Sequence, residues 1–169
     1  MAEVTPIGAV GRGLVAGFAG TAAMTAWQEL SARLRSDGAP EEQGLQQPPE
    51  DPWASASAPA KVGRRIIEGV FHRQVPANRI GLLTNAMHWS YGTGWGAAYG
   101  LIQGTWPGGA IRSGLLFGTG VWAMSYVTMV PMGLYELPWR YSPGDLGLDL
   151  SYHLAYGAGV GAAHGLLER

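Results

Sequence analysis

The chain has 169 residues, enough for one domain, and its 11 basic and 12 acidic side chains give a net charge of −1. This balance argues against nucleic-acid binding, because no surplus of basic side chains is present to neutralise phosphates. The absence of cysteine excludes disulfides, zinc–thiolate sites and thiol nucleophiles.

Charged residues are segregated along the chain. No Asp, Glu, Lys or Arg occurs in the 32 residues between Arg79 and Arg112 or in the 23 between Arg112 and Glu136. Residues 13–28 and 150–167 are also uncharged. A membrane-spanning helix needs about 20 predominantly apolar residues, so the middle stretches qualify and the outer two are marginal alone. A soluble chain of this length could hardly bury four such segments, and we predict an all-α integral membrane protein with a single domain, residues 1–169.

The first predicted transmembrane helix covers about residues 7–27 and continues as QELSARLR. Arg12, near its start, can extend its side chain to the lipid headgroups. A cleaved signal peptide would need a more basic start than Glu3 and Arg12 provide, so the sequence favours a retained helix.

A loop and a short amphipathic helix follow. Residues 36–60 are rich in Pro, Glu, Gln and Ser, which predicts a disordered loop. At about residues 61–73, apolar residues share one helical face and basic residues occupy the rest, a pattern typical of a helix in the membrane interface. Packing on the protein's own surface is the alternative.

Further transmembrane helices are predicted at about residues 83–103, 111–132 and 148–167. The segment GTWPGG turns the chain between the first two of these, since Pro and Gly break helices. Pro131 should end or kink the helix that contains it. The next loop carries Tyr135, Trp139 and Tyr141, as expected of aromatic residues at a membrane interface.

Two of the predicted helices carry almost the same segment. HWSYGTGWGAAYGL (88–101) and HLAYGAGVGAAHGL (153–166) are identical at nine of 14 positions. Glycines follow each histidine at every fourth position, on one helical face, where they permit close approach of helix backbones in a bilayer. The predicted helix-packing residues are Gly92, Gly96 and Gly100, their counterparts Gly157, Gly161 and Gly165, and Gly13, Gly17, Gly114 and Gly118 in the preceding helices.

This internal repeat predicts a four-helix bundle built from two similar helical hairpins. The offset is 65 residues between the histidine helices, and 101 residues between the other two when Gly13 is aligned with Gly114. The larger offset fits an insertion in the first loop. Both histidines should then lie in the same leaflet.

His88 and His153 form the candidate intramembrane polar site, with Tyr91 and Tyr156 three positions after them and within reach on the same face. Ionisable residues inside a membrane usually face the bundle interior or water. The simplest interpretation is that both histidines hydrogen-bond to neighbouring carbonyls and fix helix packing. They could instead form a proton-responsive pair, or ligate a haem or metal.

The other polar residues are weaker candidates for a functional site. His164 is expected at the membrane interface beside Glu168, whereas Glu29, Glu136 and Asp149 lie on the side of the two candidate histidines, where a carboxylate could pair with one. No serine occurs in a nucleophile-elbow context. We therefore predict no catalytic residue, no metal ligand and no enzymatic activity.

Several short motifs lie in or near these helices: GLVAGFAGTAAMTAW (13–27), GLLFG (114–118), PMGL (131–134), LPW (137–139) and the closing helix with His153. The series resembles the YagU-like family of small bacterial inner-membrane proteins, although not in the first loop. The resemblance implies a four-helix inner-membrane protein with at most a suggested link to acid tolerance, and it implies no catalytic residues.

Membrane orientation is predicted differently by two criteria. Basic residues favour the cytoplasmic side, and they are concentrated around the first loop, which places both termini outside. The resemblance implies termini inside. The residues that flank the first loop are Arg33, Arg35, Arg64, Arg65, Arg73 and Arg79, against Arg12, Arg112 and Arg169 on the other side.

The functional expectation is a multi-pass protein of the bacterial inner membrane with a structural or stress-related role. Its expected partners are the lipid bilayer and further copies of itself or other membrane subunits. One alternative is a small transporter or proton-responsive channel that acts as an oligomer. Another is a haem- or quinone-binding redox subunit.

Overall fold

The computed structural model describes residues 5–36, 51–105 and 108–168, and these residues form helices and turns with no β-strand. The prediction of an all-α protein is confirmed. The described ranges contain five α-helices: α1 (Pro6–Ser36), α2 (Ala58–Phe71), α3 (Ile80–Ile102), α4 (Ala110–Met129) and α5 (Pro143–Leu167).

The first helix contacts two of the other long helices. α1 packs against α3 and α5, α4 packs against α5, and the shorter α2 packs against α3. Side chains of α3 and α4 also meet, since Tyr99 hydrogen-bonds to Ser113 and packs against Phe117. The predicted hairpin partners α1 and α3 are neighbours, as are α4 and α5.

Glycines bring the backbones of α1 and α3 together. Gly13 and Gly17 of α1 face Gly92, Gly96 and Gly100 of α3. A Cβ atom added at Gly17 would lie 2.7 Å from the Cα atom of Gly96, closer than real side chains approach. The missing side chains therefore set the spacing of this helix pair.

The α4–α5 contact has the same construction. Gly114 lies against Gly157 and Gly161, and Gly118 lies against Gly157 and the carbonyl oxygen of His153. Gly165, further along α5, approaches only the side chain of Ala110. Both helix pairs thus have backbone contacts at their centres.

The backbone contacts match the glycines of α1 to those of α4 differently from the sequence alignment of Gly13 with Gly114. Gly17 faces the carbonyl oxygen of Gly92, and Gly114 faces that of Gly157, the residue that corresponds to Gly92. Gly17 therefore corresponds to Gly114, an offset of 114 − 17 = 97 residues rather than 101. The difference of four residues is about one helical turn, because position in the interface is decided by the partner helix and not by matching Gly-Leu pairs.

α1 presents a second face of small residues to α5. A Cβ atom at Gly20 would lie 2.5 Å from a methyl group of Val160, and Gly159 lies against Gly20 and Ala23. Aromatic and aliphatic side chains complete the core beside this contact. The buried core residues are Ala16, Tyr99, Phe117, Val121, Tyr156 and Val160.

Part of the predicted disordered loop is ordered. Residues 51–57 form turns, and α2 begins at Ala58 instead of residue 61. Trp53 is buried, and the guanidinium carbon of Arg64 lies 4.8 Å from the centre of its ring. The Ser57 hydroxyl accepts a hydrogen bond from the Ala60 amide, which caps the helix. One aromatic anchor and one cap thus order a segment of polar composition, while residues 37–50 of the predicted loop lie outside the described residues.

α2 is amphipathic, as predicted, but its apolar residues divide between two environments. Gly63 packs against Leu83 and Met87 of α3. Val70 and Phe71 are 65% exposed on the far side. The helix therefore packs on the protein surface and also presents an uncovered apolar face.

Within the described residues, one helical segment, Pro6–Arg35, is long and apolar enough to cross a membrane by length and composition. A core helix or a signal sequence would meet the same criterion. α3, α4 and α5 contain more Gly, Trp, Tyr and Ser, which lowers their mean hydropathy. This criterion does not support the predicted multi-pass arrangement.

Candidate functional site

The two histidines of the repeated segments are held in different ways. The Nε2 atom of His88 lies 3.2 Å from the Thr25 hydroxyl, which itself donates a hydrogen bond to the carbonyl oxygen of Thr21. A hydroxyl has a single hydrogen to donate, so His88 Nε2 must be the donor to Thr25. This bond ties α3 to α1 at the end of their glycine contact.

His153 is bonded within its own helix. Its Nδ1 atom lies 2.9 Å from the backbone carbonyl oxygen of Asp149, one turn earlier. A carbonyl oxygen can only accept, so Nδ1 carries the hydrogen, and in the neutral imidazole Nε2 is then an acceptor. The residue is 8% exposed, compared with partial burial for His88.

The Asp149 carboxylate joins α5 to α4. Its Oδ2 atom accepts hydrogen bonds from the Trp122 indole at 2.9 Å and from the Tyr126 hydroxyl at 3.0 Å. Its Oδ1 atom lies 3.9 Å from Nδ1 of His153. Of the three carboxylates considered from the sequence, Asp149 is the one placed beside a histidine.

Sequence reasoning did not identify Trp122 and Tyr126 as partners of Asp149. The available signal was their spacing of four residues, which puts both donors on one face of α4. That signal alone does not show which residue of α5 they face, since the relative position of the two helices depends on the glycine contact.

A cavity of about 240 Å³ lies beside His153 and Asp149. α2 closes one side with Ala58, Pro59 and Val62, and the other four helices and the α4–α5 loop supply the remaining walls. Three methionines and several polar side chains face it together. These are Met24, Met87 and Met129, with Gln28, Tyr91, Ser125, Tyr135, Asp149 and His153.

The two candidate tyrosines are not hydrogen-bonded to their histidines. Tyr156 is buried, and its hydroxyl donates to the carbonyl oxygen of Gly92 on α3 at 2.7 Å. Tyr91 lines the cavity and packs edge-on against Trp95. The structure therefore brings His153 and Tyr91 to one cavity, while Tyr156 serves the α3–α5 contact.

His164 does not lie at an exposed helix end. It is 3% exposed and packs edge-on against Tyr99, with ring centres 5.4 Å apart. Its Nδ1 atom is buried, has no hydrogen-bond partner among the described residues and lies 3.7 Å from the Glu168 carboxylate. The position of His164 at a membrane interface stays a prediction, and the structure places its ring on the interior side of α5.

The described residues include no group of three His, Cys, Asp or Glu side chains placed to hold a metal ion. One ring nitrogen of each candidate histidine is already bonded within the protein. Comparison of the chain with protein-family models, curated proteins and solved structures finds no match.

Proposed function

We propose that this chain is a multi-pass protein of the bacterial inner membrane with a structural, non-enzymatic role. In this proposal α1, α3, α4 and α5 span the bilayer and α2 lies at its surface. The similarity to the YagU-like family rests on short motifs and belongs to the same proposal. The observation that carries it is the distribution of side chains between the inside and the outside of the bundle.

The interior of the bundle contains many small and polar residues beside its aromatic and aliphatic core. Besides the glycine contacts, it contains hydroxyl and imidazole groups that bond across or along the helices. Such interiors are typical of helices that associate in lipid, where small residues and interhelical hydrogen bonds provide the attraction. The buried polar residues are Thr21, Ser31, Ser113, Ser125, His153 and His164.

The outside carries the large apolar side chains. Val15 and Phe18 of α1 are each 57% exposed, and Val127 of α4 is 66% exposed. Each long helix contributes such residues, including Leu101 of α3 and Leu166 of α5. In water this surface would be an extended apolar patch, whereas in lipid it is matched by its surroundings.

The position of α1 supports more than one span. Only 28% of the 18-residue apolar stretch within α1 is buried, whereas the core helix of a soluble protein is mostly buried. α3 and α5 contact α1 through backbone atoms along its length. If α1 crosses a bilayer, these two helices must lie at the same depth.

The glycine contacts favour a structural role over a continuous pore. Backbone meets backbone at the centres of the α1–α3 and α4–α5 pairs, which leaves no space between those helices. A small transporter remains the second candidate, because the cavity brings His153, Tyr91 and Asp149 together at one end of the bundle. An oligomer would be needed to extend that cavity into a path.

Single-cysteine labelling tests the proposed membrane position, since the chain has no native cysteine to remove. Val127→Cys and Leu101→Cys should resist a membrane-impermeant maleimide in sealed vesicles and react after solubilisation in denaturant. Ala54→Cys, in the turns formed by residues 51–57, is the control and should react from one side of the membrane only. Rapid labelling of Val127→Cys in intact vesicles would contradict the proposal. The side on which Ala54→Cys reacts also decides the membrane orientation.

A further inference from the structure

The cavity beside His153 offers hydrogen-bond acceptors on Asp149 and His153. Asp149 is the one formally charged side chain among its lining residues, so the lining carries a negative charge. In the described part of the chain, both donors to Asp149 reach Oδ2, and none reaches Oδ1. The Nε2 atom of His153 is likewise an acceptor, because Nδ1 holds the hydrogen.

Other groups at the cavity also favour a ligand that donates hydrogen bonds or carries a positive charge. The Ser125 hydroxyl donates to the carbonyl oxygen of Trp122 and keeps its lone pairs free to accept. Burial, and then the Asp149 carboxylate, raise the pKa of Tyr135 to about 12, so this phenol stays neutral at physiological pH. Tyr91 and Tyr135 also bring aromatic rings to the cavity lining, and the faces of such rings attract cations.

The remaining surface is apolar and adaptable. Met24, Met87 and Met129 come from three different helices, and thioether side chains fit irregular apolar shapes well. An apolar protein cavity of about 150 Å³ is large enough for benzene. A cavity of about 240 Å³ therefore has room for one ring with a short substituent.

We propose that this cavity binds a small organic cation, a protonated amine joined to an apolar body of about one ring. The ammonium group lies against Asp149 Oδ1 and His153 Nε2, and the apolar body lies among the three methionines. This inference rests on the cavity alone and goes beyond the proposed structural role. It holds whether or not the helices span a membrane.

Three probes of similar size and different charge test the ligand class. They are 2-phenylethylammonium, neutral 2-phenylethanol and anionic phenylacetate, titrated into the purified full chain in mild detergent by calorimetry. The cation should bind about ten-fold more tightly than the alcohol, since a hydrogen bond to a charged group is the stronger one. Phenylacetate should not bind measurably. Equal binding of cation and anion, or no binding of the cation, would overturn the proposal.

Two variants locate the site. Asp149→Asn keeps an oxygen for Trp122 and Tyr126 but removes the charge, and should weaken cation binding about ten-fold while leaving 2-phenylethanol within about two-fold. Glu136→Gln removes an exposed carboxylate outside the cavity and should change neither affinity. Unchanged cation binding by Asp149→Asn would place the cation elsewhere and refute the site.

A cavity-filling change covers the case in which Asp149→Asn fails to fold. Ala58→Leu, at the start of α2, adds side-chain volume in the cavity wall and leaves the Asp149 carboxylate in place. It should abolish binding of both the cation and the alcohol while the circular dichroism spectrum stays that of the parent. Retained binding by a folded Ala58→Leu protein would contradict the proposal.

Discussion

The α1–α3 and α4–α5 pairs share a glycine contact but differ at the histidine that precedes the glycines of α3 and of α5. His88 bonds to a hydroxyl on the neighbouring helix, whereas His153 bonds to a carbonyl of its own helix. The residues one turn before the two histidines differ as well. The position before His88 that corresponds to Asp149 is Thr84, whose hydroxyl lies 2.9 Å from that of Ser57.

This comparison separates two levels of the structure. Glycines fix how closely each pair of helices approaches, and the residues around them decide which polar groups meet. The same backbone arrangement thus places one histidine in a helix contact and the other at a cavity. Changes at the glycines should affect both pairs alike, while changes at the polar groups should affect only one.

The largest effect is expected from Gly96→Ala. The added methyl group would meet the backbone of Gly13 and Gly17, so the helices must move apart, and the free energy of unfolding should fall by about 3 kcal/mol. Thermal unfolding in detergent, followed by circular dichroism, measures the change.

The matched control is Gly94→Ala, two residues away on the same helix, where a Cβ atom meets nothing within 4 Å. Its stability should be equal to that of the parent or higher by up to about 1 kcal/mol, because Ala favours helix. Gly161→Ala should resemble Gly96→Ala with a smaller loss, since fewer backbone atoms lie close. Equal stabilities of Gly96→Ala and Gly94→Ala would refute the importance of the backbone contact.

The next largest effect is expected from Asp149→Ala, which leaves the indole of Trp122 and the hydroxyl of Tyr126 without their acceptor. Stability should fall by about 2 kcal/mol. Thr84→Ala changes the corresponding position of the other pair and should lose about half as much, because only a hydroxyl pair is broken. A larger loss from Thr84→Ala would reverse the comparison between the pairs.

A smaller effect is expected from Thr25→Val, which removes the acceptor of His88 and should lower the free energy of unfolding by about 1 kcal/mol.

The two histidines should also be opposite neutral tautomers, with the hydrogen on Nε2 in His88 and on Nδ1 in His153. Nitrogen-15 chemical shifts of the ring atoms distinguish these forms. The same tautomer at both positions would show that one of the two hydrogen bonds is absent.

The smallest effect concerns α2, which packs on α3 and lies in the first half of the chain. The Glu68 carboxylate accepts hydrogen bonds from the Val75 amide and from Arg64, and these lower its pKa below the ordinary value of 4.5. A lowered folded-state pKa stabilises the structure above pH 4.5 and ceases to do so as the pH falls through the folded value.

Hydrogen exchange of the Val75 amide should therefore accelerate, relative to amides of α4, when the pH falls below 4.5. Glu68→Gln should remove this pH dependence, and Glu136→Gln, which breaks an exposed ion pair, should keep it. A pH dependence that persists in Glu68→Gln would assign it to another group.

Much of the helical framework follows from the sequence. Most residues of the uncharged stretches lie within helices, and the glycines at every fourth position lie at the contacts between them, because that spacing defines a helical face. Ser57 and Pro59 show what local signals add, since they mark the start of α2 inside a stretch of disordered composition. Trp53, a large aromatic residue that the structure buries, was the signal in the sequence that this stretch could pack against the protein.

The candidate site was harder to predict from the sequence than the helices. The pairing of Asp149 with Trp122 and Tyr126 depends on where α5 lies along α4, and a shift of one turn would separate them. The burial of His164 depends on Tyr99, which is distant in the chain. Neither feature has a spacing that reveals it, because both arise between helices.

The contact of α1 with α5 has a consequence for the order in which the protein is made. Gly20 of α1 is covered by Val160 of α5. Because α1 leaves the ribosome before α5, its second face stays uncovered until α5 has been made. The α1–α3 and α4–α5 pairs therefore cannot mature independently, and a chain interrupted before α5 would expose a glycine-lined surface to whatever chaperone or protease meets it.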